Sequence, residues 1–201
     1  MKNLFVEMMS QLTSLTAEEA RDIEQSFQIK TYTKDSFLVK EGQLVNNGYH
    51  VIEGCVREYK LVDGEEKTTA FYTEKFPNAT NFNSLINKTP STLNFICVED
   101  TTVGVFNEQK EKALYKKHPR FESFCRSGLE QMMGAKQEQL SEFITLKPEQ
   151  RYEKLQKERP ELINRVPQYQ IASYLGIQPE TLSRIRVRLV NKLPRGKSTS
   201  H

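Results

Sequence analysis

Glu180 and Arg184 are the side chains of this 201-residue sequence whose types and spacing suggest a recognition chemistry. Four residues apart in a helical stretch, they lie one above the other on a single face. A glutamate so placed can accept a hydrogen bond from the amino group of cytosine. An arginine one turn later can donate two parallel bonds to guanine, and each such contact discriminates against a wrong base by ~1–3 kcal/mol. Thr181 and Ser183 offer hydroxyls to phosphate oxygens, and Arg188 shares the polar face. Gln168 and Tyr169 upstream, with Arg195 and Lys197 in the tail, are further candidate phosphate contacts.

Those groups need a rigid support, and Val166–Leu189 supplies the pattern of helix, tight turn, helix. Ile171, Ala172 and Leu175 face inward in the first helix, and the small Ala172 lets the second helix cross closely. Gly176 takes the turn, where a positive φ is cheap without a Cβ. Ile177 plugs the space between the helices, Pro179 opens the second one, and Leu182, Ile185 and Leu189 form its buried stripe. A short helix of this composition reads DNA from its N-terminal turns in the major groove. The bland alternative is an ordinary helical hairpin with a solvated basic face. Charge favours the first reading. From Arg165 to His201 there are seven Lys/Arg and one acid, a net +6, whereas the rest of the chain carries −3. Such asymmetry points to a polyanion.

Upstream the texture differs. Thr16-Ala-Glu-Glu19 is a capping box with Leu15 as staple, and Ala20, Ile23 and Phe27 follow at helical spacing. Residues 29–106 are rich in Tyr, Phe, Val and Thr and are cut by glycines, which predicts short strands in a β-barrel or jelly roll. Asp63-Gly64 is the sharpest hairpin signal, and 93–98 with 101–106 reads as a second hairpin. From 118 to 144, Phe121, Phe124, Cys125, Leu129, Met132, Met133, Leu140 and Phe143 form one stripe of a long helix. That face needs a partner, and a second copy is the simplest one. The fold class expected is α+β, with a barrel-like domain at 1–117, a dimerisation helix at 118–146 and a helix-turn-helix domain at 147–201.

Several classes are disfavoured. Cys55, Cys97 and Cys125 are odd in number and scattered, which argues against a disulfide framework, a zinc site or a four-cysteine iron–sulfur cluster. Cys55 and Cys97 read as small core residues. His50, His118 and His201 do not cluster. No nucleophile elbow, metalloprotease helix or P-loop motif is present, so no catalysis is expected. Neither a signal peptide nor a membrane-length apolar run is read, so a soluble cytoplasmic protein is expected.

The run Ile171-Ala-Ser-Tyr-Leu-Gly-Ile-Gln-Pro-Glu-Thr-Leu-Ser-Arg184 resembles the helix-turn-helix of Crp/Fnr regulators, where I-A-x-x-L-G-x-S-x-E-T-x-S-R is usual. The resemblance implies that Glu180 and Arg184 read bases. Two residues depart from the pattern. Gln178 replaces the usual serine, which weakens the helix N-cap. Pro179 stands where a basic base-reading residue is common, so the recognised site differs. The wing that follows in a winged-helix-like domain looks truncated. Leu38–Gln43 and Tyr49–Arg57 are similar to the barrel signature of the family's cyclic-nucleotide-binding domain, and the long helix corresponds to its dimerisation helix. Double-stranded DNA, a second copy and RNA polymerase are the partners so implied, with no membrane.

The family's nucleotide cassette is degenerate here. Binders carry Gly-Glu-Leu on a short helix and an arginine about ten residues on, which together take the ribose and the cyclic phosphate. At the matching place stands Phe82-Asn-Ser-Leu-Ile86, with Ser84 where the glutamate belongs, and Pro90–Ile96 has no arginine. Cyclic AMP is therefore not expected to bind, and no cofactor is implied. Phe82, Asn83, Ser84, Thr92 and Asn94 either line a pocket for a different small effector or belong to a filled scaffold. The rival function is a cyclic-nucleotide-fold interaction module that binds protein and not DNA.

Overall fold

The computed structural model describes residues 4–192. They fall into two compact units that divide between Leu140 and Ser141, inside a long helix.

The first unit opens with α1 (Leu4–Leu12) and α2 (Ala17–Ser26). The predicted capping box starts α2: Glu19 N donates to Thr16 Oγ1 at 3.2 Å, and Thr16 N donates to Glu19 Oε2 at 2.8 Å. Strands β1 (Gln28–Tyr32), β2 (Phe37–Val39), β3 (Gly48–Glu53), β4 (Val56–Val62) and β5 (Glu65–Tyr72) follow, then helix α3 (Phe82–Asn87). Strands β6 (Asn94–Cys97) and β7 (Thr101–Phe106), helix α4 (Glu108–Lys117) and helix α5 (Pro119–Thr145) complete the series.

The strands form two antiparallel sheets, β1-β7-β3 and β2-β6-β4-β5. One apolar core joins them, with Val51, Val103 and Val105 from the first sheet and Val56, Ala70, Phe95 and Cys97 from the second. Of the expected barrel or jelly roll, the strands form the two-sheet arrangement without a closed barrel. The β4–β5 hairpin turns on Asp63 and Gly64 at φ 52° and 80°, the two positive values that a two-residue turn of matching twist requires. The second expected hairpin does not form. β6 pairs with β2 and β4, and β7 pairs with β1 and β3, so consecutive strands lie in different sheets. Each strand has only two hydrogen-bonding edges, and both are already taken.

At 27 residues, α5 is about 40 Å long. The stripe expected to pair two copies is divided among three tasks. Phe121 is buried with Met9, Ile23 and Leu114, and Phe124 packs beside them. Phe143, past the division, has the Arg151 guanidinium 4.6 Å from its ring and is still 45% exposed. Between them Leu129, Met133 and Leu140 are exposed, Met133 at 68%. The base of α5 is clasped to α2: Arg120 Nε and Nη2 donate to the two Glu19 carboxylate oxygens at 2.6 and 2.7 Å. That fork holds Glu19 at a pKa of about 2.

The second unit adds α6 (Pro148–Glu158), α7 (Pro160–Arg165), α8 (Gln168–Tyr174) and α9 (Pro179–Lys192). Prolines open three of these, where a missing N–H costs nothing. Tyr152, Leu155, Leu162, Val166, Ile171, Ala172, Leu175, Leu182 and Ile185 are all buried. Among the described residues no helix is long and apolar enough to cross a membrane.

Candidate nucleic-acid interface

The turn between α8 and α9 is set by backbone bonding that only glycine accepts cheaply. Gly176 N donates to Ser173 O and Ile177 N to Ala172 O, both at 3.0 Å, with Gly176 at φ 67°. This is the Schellman closure of a helix end. A Cβ on Gly176 would meet the tip of the Phe143 ring, Cζ at 2.8 Å, which would have to shift, so the positive φ is the main reason for glycine here. Ala172 is fully buried, as the close crossing requires. Pro179 begins α9, and the Gln178 carbonyl accepts from Thr181 N at 3.0 Å and Leu182 N at 3.2 Å. The backbone closes the first turn at the place where the usual serine is missing.

Leu182 and Ile185 are 1% exposed and anchor α9 to its unit. The opposite side presents Glu180, Ser183, Arg184, Arg186, Val187 and Arg188, all exposed, with Thr181 half-buried. Arg184 Nε lies 3.4 Å from the Glu180 main-chain carbonyl oxygen, and the four-residue spacing puts the two candidate base readers on one face of α9. Neither shares its charge with another side chain among the described residues. The flanking arginines are engaged. Arg186 Nη1 donates to Gln168 Oε1 at 2.9 Å, and Arg188 Nη1 stands 3.6 Å from Glu149 Oε2. Gln168 is therefore tied to α9, and its amide also approaches Ile163 O at 3.4 Å. Tyr169 is exposed and accepts from Gln170 Nε2 at 3.1 Å. Gln178 and Pro179 are exposed at the start of α9. Arg195, Lys197 and the expected wing lie outside the described residues.

Arg151 carries a role that spacing alone did not reveal. Its Nη1 donates to Phe143 O at 2.7 Å and Leu146 O at 3.0 Å, and its Nη2 to Leu175 O at 2.9 Å. One guanidinium thus satisfies carbonyls at the ends of α5 and α8 and braces the turn that aims α9. A basic residue within a turn of a proline-opened helix is too common a pattern to signal this.

The residues at the degenerate cassette behave differently. Ser84 is 1% exposed on α3, where its Oγ accepts from Val45 N at 3.3 Å and donates to Thr89 O at 2.5 Å. Asn94 is buried and its Oδ1 accepts from Glu41 N at 3.0 Å, while its Nδ2 is buried with no hydrogen-bond partner. Phe82 is half-buried, and Asn83 and Thr92 are exposed. Arg57 is the buried cation of the described residues, at 3% exposure. It follows Val56 along β4 and so points away from the core that Val56 joins. There it donates to Thr68 Oγ1 at 2.8 Å and to Glu66 Oε2 at 2.5 Å. Its charge is already neutralised.

Other groups that could hold an ion are similarly committed. Glu18, Asp22 and His118 bring their ligand atoms within 4.8 Å of one another. The Lys117 ammonium occupies that cluster, 3.0 Å from Glu18 Oε1 and 2.7 Å from Asp22 Oδ2. Burial pushes the Cys97 thiol up to about 11, so it is not a ready thiolate. Burial also lowers His50 to about 4, which keeps the ring neutral.

Comparison with known proteins places this geometry. Residues 29–118 match the family model of the cyclic nucleotide-binding domain. No curated relative matches the sequence. Solved structures with the same fold include the Thermus thermophilus catabolite activator protein, at 20% identity and a TM-score of 0.53, covering 90% of this chain and 86% of that one. The c-di-GMP-responsive global regulator CLP of Xanthomonas campestris superposes with a TM-score of 0.68 at 14% identity, over 88% of this chain and 92% of its own. FixK2 of Bradyrhizobium japonicum gives 0.61 at 19% identity, over 82% and 85%. Residues 29–118 are thus similar to the cyclic nucleotide-binding domain, and the chain that contains them shares the fold of these solved regulators.

Proposed function

We propose that this protein is a sequence-specific DNA-binding transcription regulator that acts in the cytoplasm as a homodimer and does not respond to cyclic AMP. The observation that carries the reading is the outward face of α9, where Glu180 and Arg184, one helical turn apart, are both exposed. On this reading residues 1–117 sense, 118–146 dimerise and 147–201 bind DNA. The partners are double-stranded DNA, a second copy and RNA polymerase, and the protein is a regulator, not an enzyme. Exposed Leu129, Met133 and Leu140 on α5 supply the apolar stripe for the second copy. Two α9 helices would then enter successive major grooves roughly 34 Å apart on a near-palindromic site. A cyclic phosphate would find Ser84 in place of the glutamate and no arginine in Pro90–Ile96, while the buried Arg57 lies on β4 and is paired with Glu66.

Selection of bound sites from random DNA tests the reading. The expected product is a near-palindrome, bound with an affinity that falls steeply with salt. Six or more phosphate contacts imply a loss of roughly a thousandfold or more between 50 and 200 mM. Binding that enriches no sequence, or that salt leaves unchanged, would favour a protein-interaction module. Met133→Glu should convert the dimer to monomer in sedimentation while leaving helix content intact, since the side chain is exposed in one copy.

A further inference from the structure

We infer that Val187 is a specificity-determining residue that reads the 5-methyl group of a thymine; this rests on the DNA-binding reading of α9. Val187 is 59% exposed on α9 and, with Val190 at 67%, is an apolar group on a side of the helix that otherwise presents Glu180, Ser183, Arg184, Arg186 and Arg188. More than half of its surface is open to solvent there. At ~100° per residue, Glu180 and Val187 both point within roughly 20° of the direction opposite the Leu182–Ile185–Leu189 stripe. Val187 therefore occupies the centre of the outward face, in line with the base reader Glu180.

Its sequence neighbours define what approaches that centre. Arg186 and Arg188 project to either side, about a quarter-turn away. Both stay within the unit's own surface, on Gln168 and Glu149. Two guanidinium groups astride one valine match a groove with a phosphate strand on each side and bases at the floor. An apolar protein surface would leave Arg184 and Arg186 without counter-charge and Arg188 with Glu149 alone, so the charge selects DNA as the occupant. A shallow groove formed by Ser183, Arg186, Val187, Val190 and Asn191 continues the same face. Val187 lies two helical turns beyond Glu180, ~10.5 Å, which is about three base pairs along one strand.

The chemistry of the partner then follows. Valine can neither donate nor accept. Opposite a guanine, adenine or cytosine edge it would desolvate a polar group and give nothing back. In the major groove, thymine alone of the four ordinary bases presents a methyl group, and apolar contact is what a valine supplies. Glu180 and Arg184 thus read polar edges, and Val187 reads a methyl group further along the same half-site.

The test uses the full-length protein and a duplex taken from the site selection. Each thymine of the half-site is replaced singly by deoxyuridine, which removes only the methyl group, and affinity is measured by fluorescence anisotropy. For the unmodified protein one thymine per half-site should lose about three- to fourfold in affinity per half-site, the worth of one buried methyl-sized group. Val187→Ala should lose a similar factor on thymine DNA and show no further loss on deoxyuridine. Val187→Ile should retain the thymine preference. Equal responses of Val187 and Val187→Ala proteins to every replacement would overturn the assignment while leaving DNA recognition standing. A selection that yields no site would overturn both. Because Val187 is exposed, unchanged thermal melting of the Val187→Ala protein separates a lost contact from a lost fold.

Discussion

The segment from Phe82 to Asn94 and the segment from Gln168 to Asn191 both carry the residue types from which binding sites are made, and they use them in opposite directions. In the first, Ser84 and Asn94 turn inward and give their oxygens to backbone amides of the same unit. In the second, the apolar residues turn inward and Glu180, Ser183 and Arg184 are left to solvent. A polar group that already has an internal partner must lose it before it can bind anything else. A polar group in water exchanges one partner for another at little net cost. The difference supports the proposed reading, in which α9 recognises DNA and Ser84 and Asn94 serve the fold.

The strongest way to break this contrast is to remove the support of the outward face. Ile185→Ala should destabilise the C-terminal unit by about 2–5 kcal/mol, since it opens a cavity at a fully buried site, and DNA binding should weaken with it. Thermal melting followed by circular dichroism reads the first effect. Arg184→Ala acts on the face itself. It should leave melting unchanged and relax one position of the selected site by ~1–3 kcal/mol. A selection that returns the same sequence would remove Arg184 from the reading. Ser84→Ala is the mirror image, expected to lower stability by about 1 kcal/mol with operator affinity unaltered. Should affinity change and stability not, the cassette would be a working site after all.

The smallest effect concerns pH. The His50 ring is held near a pKa of about 4 by burial, against an ordinary 6.5. Between those values the unfolded chain takes up a proton that the folded one refuses, so stability falls as pH drops through this window. His50→Gln should flatten the melting temperature between pH 6.5 and 4 relative to the parent. An unchanged slope would mean that other groups set it.

Features that depend on close neighbours in the chain were legible before any coordinates. The Thr16–Glu19 box, the Asp63-Gly64 turn, the glycine at 176 and the buried stripe of α9 each involve residues no more than a few positions apart. Backbone geometry alone then dictates what can stand there. The division of β6 and β7 between two sheets was not legible, because it depends on which edges other strands had already taken. Nor was the diversion of Phe121 from the α5 stripe, since helical periodicity shows that a face is apolar and not what covers it. Arg151 joins Phe143, Leu146 and Leu175, which are adjacent only after folding.

The sequence by itself determined that a basic helix-turn-helix ends this chain and that Glu180 and Arg184 share one of its faces, because 3.6-residue periodicity and charge are local quantities. Only the tertiary structure decided which polar groups remain available. It closed Ser84 and Asn94 into the fold, neutralised Arg57 with Glu66 and left the centre of α9 to Glu180, Arg184 and Val187. Availability depends on partners that come from distant parts of the chain, and those partners exist only once the chain has folded.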